Sequence, residues 1–445
     1  MAGLSLALIE RDWIPPLHVA AGLDPVEGRL VLLSDGGPGA RWSYVAAQPM
    51  QVEHRRQGDP DPFARLDTLL GERAAATAGL PPITGGGVGV ATQVRAPPPP
   101  ARGGGGEGWP DLTLARHEAL AAFDHHRRRV LVIGRGSDHG AARRAADRAS
   151  VWLASAREPR PSQGPLAETF TPERPPEAYP AAVADVVRRI AGGEIFQANI
   201  ARAWAGMLAN GVEPFDLFVR LAGVSPAPYA AFWDLGDRVL VSNSPESFVS
   251  VRDGRITARP IKGTRPRGST PQEDAALTAE LLTSAKDRAE NLMIVDLMRN
   301  DLSRVCRPGS VTAPDLFRLE TFANVHHLVS TVQGRLAPDT GPGRVMAATF
   351  PPGSITGAPK HQAMQVIARH EAARGPWCGS LFLAGFDGAL DASVLIRTVA
   401  LHRDDGRWRL RTWAGAGIVA DSDPAAELAE TDAKIASIRT ALTDL

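Results

Sequence analysis

Apolar and polar residues recur along this chain with two different periods, which separate helical segments from strands. A helical period predicts helices over Val183–Ile190, Thr278–Val305 and Ala425–Leu442. Short apolar runs bounded by Gly, Pro and Asp predict strands, over Arg29–Ser34, Arg129–Ile133, Tyr229–Trp233, Arg238–Ser242, Val394–Leu401 and Trp408–Trp413. Because helices and strands are mixed without regular strand–helix alternation, the pattern favours an α+β fold.

Two Pro-rich stretches interrupt this pattern. Residues 92–110 are rich first in Pro and then in Gly, which predicts a flexible surface connection. A second polar, Pro-rich stretch covers Arg157–Pro180. We therefore predict an N-terminal subdomain over residues 1–165 and a larger domain over residues 175–445.

The charge and cysteine content exclude several classes of protein. The 445 residues include 49 basic and 49 acidic side chains, so no overall field attracts nucleic acid or an anionic membrane. No apolar run approaches the ~20 residues that cross a bilayer, and the first one ends at Glu10 and Arg11 without a basic segment before it. Cys306 and Cys378 are too few for a disulfide framework or a structural zinc site. We expect a cytoplasmic protein.

Lysine is rare in this chain. The 49 basic residues include only four lysines, which are Lys262, Lys286, Lys360 and Lys434. An amine can lose its proton and act as a nucleophile, whereas a guanidinium cannot. Each lysine is therefore a candidate for chemistry that arginine cannot perform, with a chance surface lysine as the equally weighted alternative.

Two motifs contain glycines that are also typical of nucleotide-binding loops. The motif GGGVGVA at Gly85–Ala91 is not followed by an acidic residue at the distance that a dinucleotide site requires, so we predict a tight turn there. The motif GSITGAPK at Gly353–Lys360 has misplaced glycines and no Ser or Thr after its lysine. Neither motif predicts a nucleotide site.

Two predicted helices carry candidate metal ligands. Glu290 precedes the apolar run Leu292–Val295 and lies one helical turn from Lys286, and Glu427 and Glu430 share one face of the C-terminal helix. Single carboxylates from different helices, completed by water and substrate oxygens, are a usual way to hold Mg²⁺. A salt-bridged helix face is the more common outcome of such spacing, and the sequence leaves open whether the two helices meet.

A third segment contains a candidate acid and a candidate nucleophile. Glu246 and Lys262 are separated by two strand-like runs and a turn at Asp253-Gly254, so a hairpin would bring them towards each other. A carboxyl group and an amine that face one site supply an acid and a nucleophile if burial raises the first pKa and lowers the second.

Taken together, these segments resemble the chorismate-utilising enzymes, the family of anthranilate synthase component I, aminodeoxychorismate synthase component I, isochorismate synthase and salicylate synthase. The resemblance covers Pro180–Ala441 and, more loosely, the N-terminal part. Its motifs include GEIFQANIAR, SPES, RPIKGTRPRG, KDRAENLMIVDLMRNDL, FPPGSITGAPK and GAGIVADSDP. It implies a layered α+β sandwich of two antiparallel β-sheets flanked by helices, with two interwoven subdomains.

The resemblance also implies roles for individual residues. Glu290 and Glu430 match Mg²⁺ ligands, and Glu246 matches the general acid that protonates the departing 4-hydroxyl of chorismate. Lys262 is similar to the nucleophile of aminodeoxychorismate synthases, at a position where anthranilate synthases have a small residue. The implied substrate-binding positions are Gly263, Thr264, His327, Ser354, Trp377, Arg397, Gly415, Ala416, Gly417 and Lys434.

Further positions bear on the choice of reaction. Gln197 stands where isochorismate and salicylate synthases have a lysine base, while Asn199, Asn291 and Trp377-Cys378 are similar to aminodeoxychorismate synthases. The resemblance therefore implies a Mg²⁺-dependent enzyme that makes 4-amino-4-deoxychorismate from chorismate and ammonia, the ammonia coming from a separate glutamine amidotransferase (glutaminase) subunit. Anthranilate synthesis, or a catalytically idle paralogue that only binds ligands and a glutaminase, are the alternatives.

A candidate tryptophan pocket is also implied by the resemblance, as a structural or regulatory site or as one that this chain has lost. Its positions are Ser34, Arg41, Trp42, Ser43, Tyr44, Pro228, Tyr229 and Ala230.

Overall fold

The computed structural model describes residues 4–23, 28–35, 41–55, 61–71, 73–77, 79–93, 108–160, 162–322 and 325–444. Its strands are β1 (Ser5–Asp12), β2 (Leu30–Leu33), β3 (Trp42–Ala46), β4 (Gln51–Arg55), β5 (Gly86–Ala91), β6 (Leu112–His117), β7 (Ala119–Asp124), β8 (Arg129–Gly136), β9 (Ala167–Pro172), β10 (Gln197–Leu208), β11 (Tyr229–Asp234), β12 (Arg238–Ser244), β13 (Ser247–Arg252), β14 (Arg255–Ala258), β15 (Ile261–Pro266), β16 (Thr312–Thr321), β17 (Val325–Arg335), β18 (Gly357–Ala358), β19 (Ser380–Gly385), β20 (Leu390–Val394), β21 (Thr398–Asp404) and β22 (Arg407–Ile418). Its α-helices are α1 (Pro16–Gly22), α2 (Ala64–Leu70), α3 (His139–Ala154), α4 (Ala178–Ala191), α5 (Pro214–Val224), α6 (Pro271–Thr283), α7 (Ala285–Ser303), α8 (Pro342–Thr349), α9 (Lys360–His370) and α10 (Pro424–Thr443), and a 3₁₀ turn covers Gly353–Ile355.

Within these residues the strands form two antiparallel sheets. The first has 12 strands in the order β1-β8-β7-β3-β2-β11-β12-β21-β22-β10-β18, with β9 paired to β10. The second has 10 strands in the order β15-β17-β14-β13-β20-β19-β5-β6-β4, with β16 paired to β17. Both sheets contain strands from the two halves of the chain, joined by the β2–β11 and β5–β19 pairs. The predicted α+β fold with two antiparallel sheets and flanking helices is confirmed.

The core lies on both faces of the second sheet. Along β19, Leu381 and Leu383 belong to the apolar cluster shared with the first sheet, whereas Phe382 belongs to the cluster shared with the helices. Successive side chains of a strand point to opposite faces, so this alternation places the second sheet in the middle layer. On its far side, Ile294 of α7 and Met346 of α8 complete the helical layer.

The predicted helix over Thr278–Val305 is wrong at one point, because the chain breaks at Ser284. This residue is extended, with φ −60° and ψ 107°, and its hydroxyl accepts a hydrogen bond from the backbone N–H of Asp287. Ser284 therefore ends α6 and caps the N-terminus of α7. The other two predicted helices lie within α4 and α10, and the carboxylate of Asp423 caps α10.

Two other predictions of local structure are also corrected. The predicted strand over Val394–Leu401 is two strands, β20 and β21, because Arg397 between them has φ +50°. The predicted tight turn at Gly85–Ala91 is instead the buried strand β5, in which a Cβ atom at Gly89 would lie 2.1 Å from the ring of Phe382. The glycines in this motif allow close packing inside the sheet.

The structure describes the second Pro-rich stretch almost completely but little of the first. Residues 94–107 lie outside the described residues, so most of the first stretch is not part of the structure described here. The second stretch contains strand β9, which pairs with β10. In the described part of the chain, none of the helices combines the length and the apolar character that crossing a membrane requires.

Candidate active site

A β-hairpin brings the candidate acid and the candidate nucleophile into one region. Strands β13 and β14 pair with Arg252 opposite Arg255, across a turn in which Asp253 and Gly254 both have positive φ. Glu246 immediately precedes β13, and Lys262 lies in β15, on the far side of β17 from β14. The predicted hairpin is therefore present.

Ser354 connects these two side chains. Its hydroxyl donates a hydrogen bond of 2.8 Å to Oε1 of Glu246, and its carbonyl oxygen accepts a hydrogen bond of 3.4 Å from Nζ of Lys262. The backbone N–H of Glu246 also donates to the hydroxyl of Ser244 at 3.2 Å. Ser354 thus contacts the carboxyl group through its side chain and the amine through its backbone.

The surroundings favour the uncharged forms of both groups. Burial raises the pKa of Glu246, and the hydrogen bond from Ser354 and the charge of Lys262 only partly oppose this rise. Burial lowers the pKa of Lys262, against the charges of Glu290 and Glu246, which favour its protonated form. The direction of both shifts suits a carboxylic acid that donates a proton and an amine that carries a lone pair.

Both candidate metal-ligand helices carry a carboxylate whose charge acts on Lys262. Its charge interacts with Glu290 on α7 and with Glu430 on α10. Burial raises the pKa of Glu290, whose carboxylate takes part in no hydrogen bond or ion pair with another described residue. The more exposed Glu430 forms an ion pair of 2.6 Å with Lys434, which also donates to the carbonyl oxygen of Gly415 at 2.8 Å.

A further carboxylate belongs to this cluster. Glu427, one turn before Glu430 on α10, is buried, and its charge raises the pKa of Glu290. Its own pKa is raised by burial, although the hydroxyl of Ser422 donates to it at 2.7 Å. The sequence pattern placed Glu427 and Glu430 on one face of this helix, and the resemblance implied Glu290 and Glu430 as the Mg²⁺ ligands. No group of three or more Cys, His, Asp or Glu side chains suited to a metal ion occurs among the described residues.

Bare backbone lies beside the amine. A Cβ atom at Gly417 would be 2.5 Å from Nε2 of Gln197 and 3.4 Å from Nζ of Lys262. Gly415 to Gly417 occupy β22 and pair with the start of β10. The side-chain amide of Gln197 is fully buried and has no hydrogen-bond partner among the described residues. This edge of the site therefore combines a glycine that leaves space beside the amine with a buried amide that has no partner among the described residues.

A histidine and an arginine lie together on another side. Thr264 and His327 are opposite each other in the β15–β17 pair, with 2.9 Å between the Thr264 hydroxyl and Nδ1 of His327. Burial, helped by the charge of Arg397, lowers the pKa of His327 to about 4, so its imidazole is neutral near pH 7. The Arg397 side chain forms no hydrogen bond or ion pair with another described residue, and burial lowers its pKa. Gly263, beside Thr264, has φ +86°.

The side chain of Trp377 lies elsewhere. Its indole stacks on Trp413 with a centroid separation of 6.0 Å, and it lines a small cavity with Trp109 and Arg374. Neither the ring contact nor the lining of this cavity includes Glu246 or Lys262.

The positions of the candidate tryptophan pocket come together on the first sheet. Ala230 of β11 is opposite Leu33 of β2, which places Pro228 and Tyr229 beside Ser34. The backbone N–H of Ser34 donates to the Ser43 hydroxyl at 2.9 Å. Of the remaining positions, Arg41 forms an ion pair with Asp124, Trp42 is in β3, and Tyr44 is buried.

Known proteins with two different named activities are similar to this chain. An aminodeoxychorismate synthase of Streptomyces griseus is 41% identical over 74% of this chain, which spans about half (46%) of that relative. An anthranilate synthase component 1 of Aeropyrum pernix is 38% identical over 75% of this chain and 72% of its own length. The crystal structure of anthranilate synthase component I from Streptococcus pneumoniae has a TM-score of 0.76 at 28% identity and covers 91% of this chain and 93% of its own. Residues 31–440 match the family described as chorismate binding enzyme, and the chain belongs to that family.

Proposed function

We propose that this chain aminates chorismate at ring carbon 4 and is the synthase component of an aminodeoxychorismate synthase. Relatives named for two different reactions are similarly identical to it, so family membership does not choose between them. The observation that carries the proposal is the amine of Lys262, whose pKa is lowered by burial and which shares Ser354 with the acid Glu246. An anthranilate synthase has no use for a nucleophilic amine at this position.

The two carboxylates of chorismate are assigned to two different parts of the site. The guanidinium of Arg397 has no partner among the described residues, and we assign it, with the bare backbone of Gly415–Gly417, to the enolpyruvyl carboxylate. The ring carboxylate then lies towards Glu290 and Glu430, where Thr264, the neutral His327 and Gly263 border the ring. Lys434 holds Glu430 and Gly415 in place.

The carboxylate cluster fits Mg²⁺. The Glu290 carboxylate is partly buried without a hydrogen-bond or ion-pair partner among the described residues, a state that a bound cation would relieve. Glu290 and Glu430 would hold the ion, with Glu427 beside them, because Mg²⁺ prefers a few carboxylate oxygens and otherwise keeps its waters. When bound, Mg²⁺ supplies the positive charge that lets a substrate carboxylate lie against these acidic residues.

In the first chemical step, Lys262 and Glu246 act together. The lone pair on Nζ of Lys262 forms a bond to ring carbon 2, both double bonds of the ring diene shift by one position, and the bond from carbon 4 to its hydroxyl breaks. Glu246 gives its proton to the departing oxygen, which leaves as water, and then takes a proton from the alkylated nitrogen. The enzyme now holds a covalent adduct, and Glu246 is again protonated.

The second step reverses these electron movements with ammonia as the nucleophile. Ammonia bonds to carbon 4, both double bonds shift back, and the bond between carbon 2 and Nζ breaks. The electron pair returns to the nitrogen of Lys262, which receives the proton from Glu246, and Glu246 recovers a proton from the new ammonium group. The net reaction exchanges the 4-hydroxyl for an amine and releases water. The covalent adduct divides one difficult displacement into two easier ones.

The identity of the product tests this proposal. With chorismate, Mg²⁺ and an ammonium salt at alkaline pH, we expect a product that retains the enolpyruvyl group and differs from chorismate by exchange of OH for NH₂. Mass spectrometry identifies this product, and a lactate dehydrogenase assay measures pyruvate. Formation of anthranilate with an equal amount of pyruvate would support the rival reaction and contradict the proposal.

A separate subunit is proposed to supply the ammonia. Hydrolysis of glutamine by a cysteine enzyme requires a reactive thiolate, whereas burial raises the pKa of Cys306 to about 11 and raises that of Cys378 still further above its usual range. We therefore expect turnover with ammonium salts but none with glutamine, until a glutamine amidotransferase subunit is added. Turnover of glutamine by the purified chain alone, measured as glutamate release, would contradict this assignment.

A further inference from the structure

A buried ion pair behind the site is not part of the chemistry described above. Nε of Arg374 donates to Oε2 of Glu371 at 2.7 Å, and its Nη2 donates to Oε1 at 2.9 Å. The exposed fractions of the two side chains are 3% and 2%. Removing two charges from water costs several kcal/mol per ion, and such a pair is tolerated only when its other donors and acceptors are used. Sequence analysis missed this pair.

The remaining contacts of the pair join two segments of backbone. Arg374 donates from Nη2 to the carbonyl oxygen of Asn199 at 2.6 Å and from Nη1 to that of Ile355 at 3.3 Å. Oε1 of Glu371 accepts a hydrogen bond of 2.7 Å from the N–H of Ala201. The ion pair therefore holds the start of β10 and the 3₁₀ turn at a fixed separation.

The 3₁₀ turn depends on these contacts for its position. The side-chain amide of Asn199 donates to the carbonyl oxygen of Ser354 at 3.0 Å, and its backbone N–H donates to that of Thr356 at 3.0 Å. Gln93 accepts a hydrogen bond from Arg374 at 2.8 Å and donates to the Thr356 hydroxyl at 3.2 Å. The guanidinium of Arg374 is thus connected through Asn199 to Ser354. On its other side it is connected through Gln93 to Thr356.

We infer that Glu371 and Arg374 are positioning residues, which hold Ser354 between the acid Glu246 and the amine Lys262. The inference rests on the proposed function only in that Glu246 and Lys262 act on chorismate. Arg374 contacts neither of them, so it acts through the backbone of Asn199 and Ile355. A displacement of about 1 Å at a catalytic group costs up to roughly 100-fold in rate.

The pH profile reports the effect on Glu246. The groups that face its carboxyl are the Ser354 hydroxyl, Lys262, Lys434 and the thiol of Cys378. The hydrogen bond from Ser354 lowers the pKa of Glu246, so lengthening this bond raises it. Release of the turn should therefore move the limb of the profile governed by Glu246 to higher pH, in the direction that Ser354→Ala moves it.

Two variants of the ion pair test the inference. Arg374→Lys keeps the charge but loses the fork that reaches two carbonyl oxygens. The double variant Glu371→Met with Arg374→Met removes both charges and keeps similar volumes, a replacement that buried ion pairs often tolerate without loss of stability. The matched control is Arg143→Met with Asp147→Met, an exposed pair of 3.0 Å on α3.

Chorismate consumption is measured against pH for each variant, together with its thermal unfolding. We expect kcat to fall about 10- to 100-fold in both ion-pair variants with KM within about 3-fold, and one limb of the profile to move upward. In a Ser354→Ala background the pH shift should disappear, and the control should match the wild type.

An unchanged kcat, or a loss of activity that follows the unfolded fraction without any movement of the limb of the pH profile, would overturn the inference. Because the assay follows chorismate, a wild type that makes anthranilate contradicts the proposed function and leaves this comparison intact.

Discussion

Lys262→Arg is expected to abolish formation of 4-amino-4-deoxychorismate as completely as Lys262→Ala, by about 1,000-fold or more. Arginine keeps the positive charge, but its guanidinium does not lose a proton in proteins and offers no lone pair for attack on carbon 2. A charge-only role for this residue would predict substantial activity in the arginine variant. Burial lowers the pKa of Lys262 and so increases the share of the neutral amine, the form that can attack carbon 2.

Two measurements examine this expectation. With chorismate and Mg²⁺ but no ammonia, intact-protein mass spectrometry should detect an adduct on the wild type and none on either variant. Lys262→Ala should also release some anthranilate, since the smaller side chain opens carbon 2 to ammonia. The matched control is Lys286→Arg, a more exposed lysine on α7 that should keep near-normal turnover. Wild-type rates of aminodeoxychorismate formation by Lys262→Ala or Lys262→Arg would show that the residue is not the nucleophile.

The second large effect is expected from the carboxylate pair. Glu290→Ala and Glu430→Ala should each lower turnover at saturating chorismate by about 1,000-fold, because one carboxylate holds a hydrated Mg²⁺ weakly and the charge of the ion is worth several kcal/mol in the transition state. Calorimetric titration should find Mg²⁺ binding in the wild type and a large loss of affinity in both variants.

Controls on the same helices separate this effect from a change in fold. Asp296→Ala removes an acidic side chain of α7 that is 82% exposed, and it should keep normal activity and normal Mg²⁺ binding. Glu427→Ala tests whether the buried carboxylate next to Glu430 contributes, and we expect an intermediate loss of affinity. Mg²⁺-dependent turnover by the double variant of Glu290 and Glu430 would rule out the ligand assignment.

The elements that sequence predicted correctly are those whose signal is local. The Asp253-Gly254 turn and the apolar period of α10 both depend on neighbours within a few residues. The break at Ser284 was missed although its signal is also local, because the apolar period continues across it. Local structure was therefore predictable where the period and the capping residues agreed.

The site was predictable from the sequence only in part. Residue types and motif resemblance selected Glu246 and Lys262, but their shared contact with Ser354 joins positions up to 108 residues apart. Glu371 and Arg374 are separated by an ordinary i, i+3 spacing. Their role depends on the contacts of Arg374 with Asn199 and Gln93, which are distant in the sequence, so no local pattern indicates it.

The sharing of both sheets between the two halves of the chain has a consequence for synthesis on the ribosome. Strand β5 ends at Ala91, and its partner β19 begins at Ser380, about 290 residues later. At ~5–20 residues per second, β5 waits roughly 15–60 s for that partner. During this interval one edge of the nascent sheet, rich in apolar residues, is open to pairing with other chains. High contact order makes the nascent N-terminal half a client for chaperones.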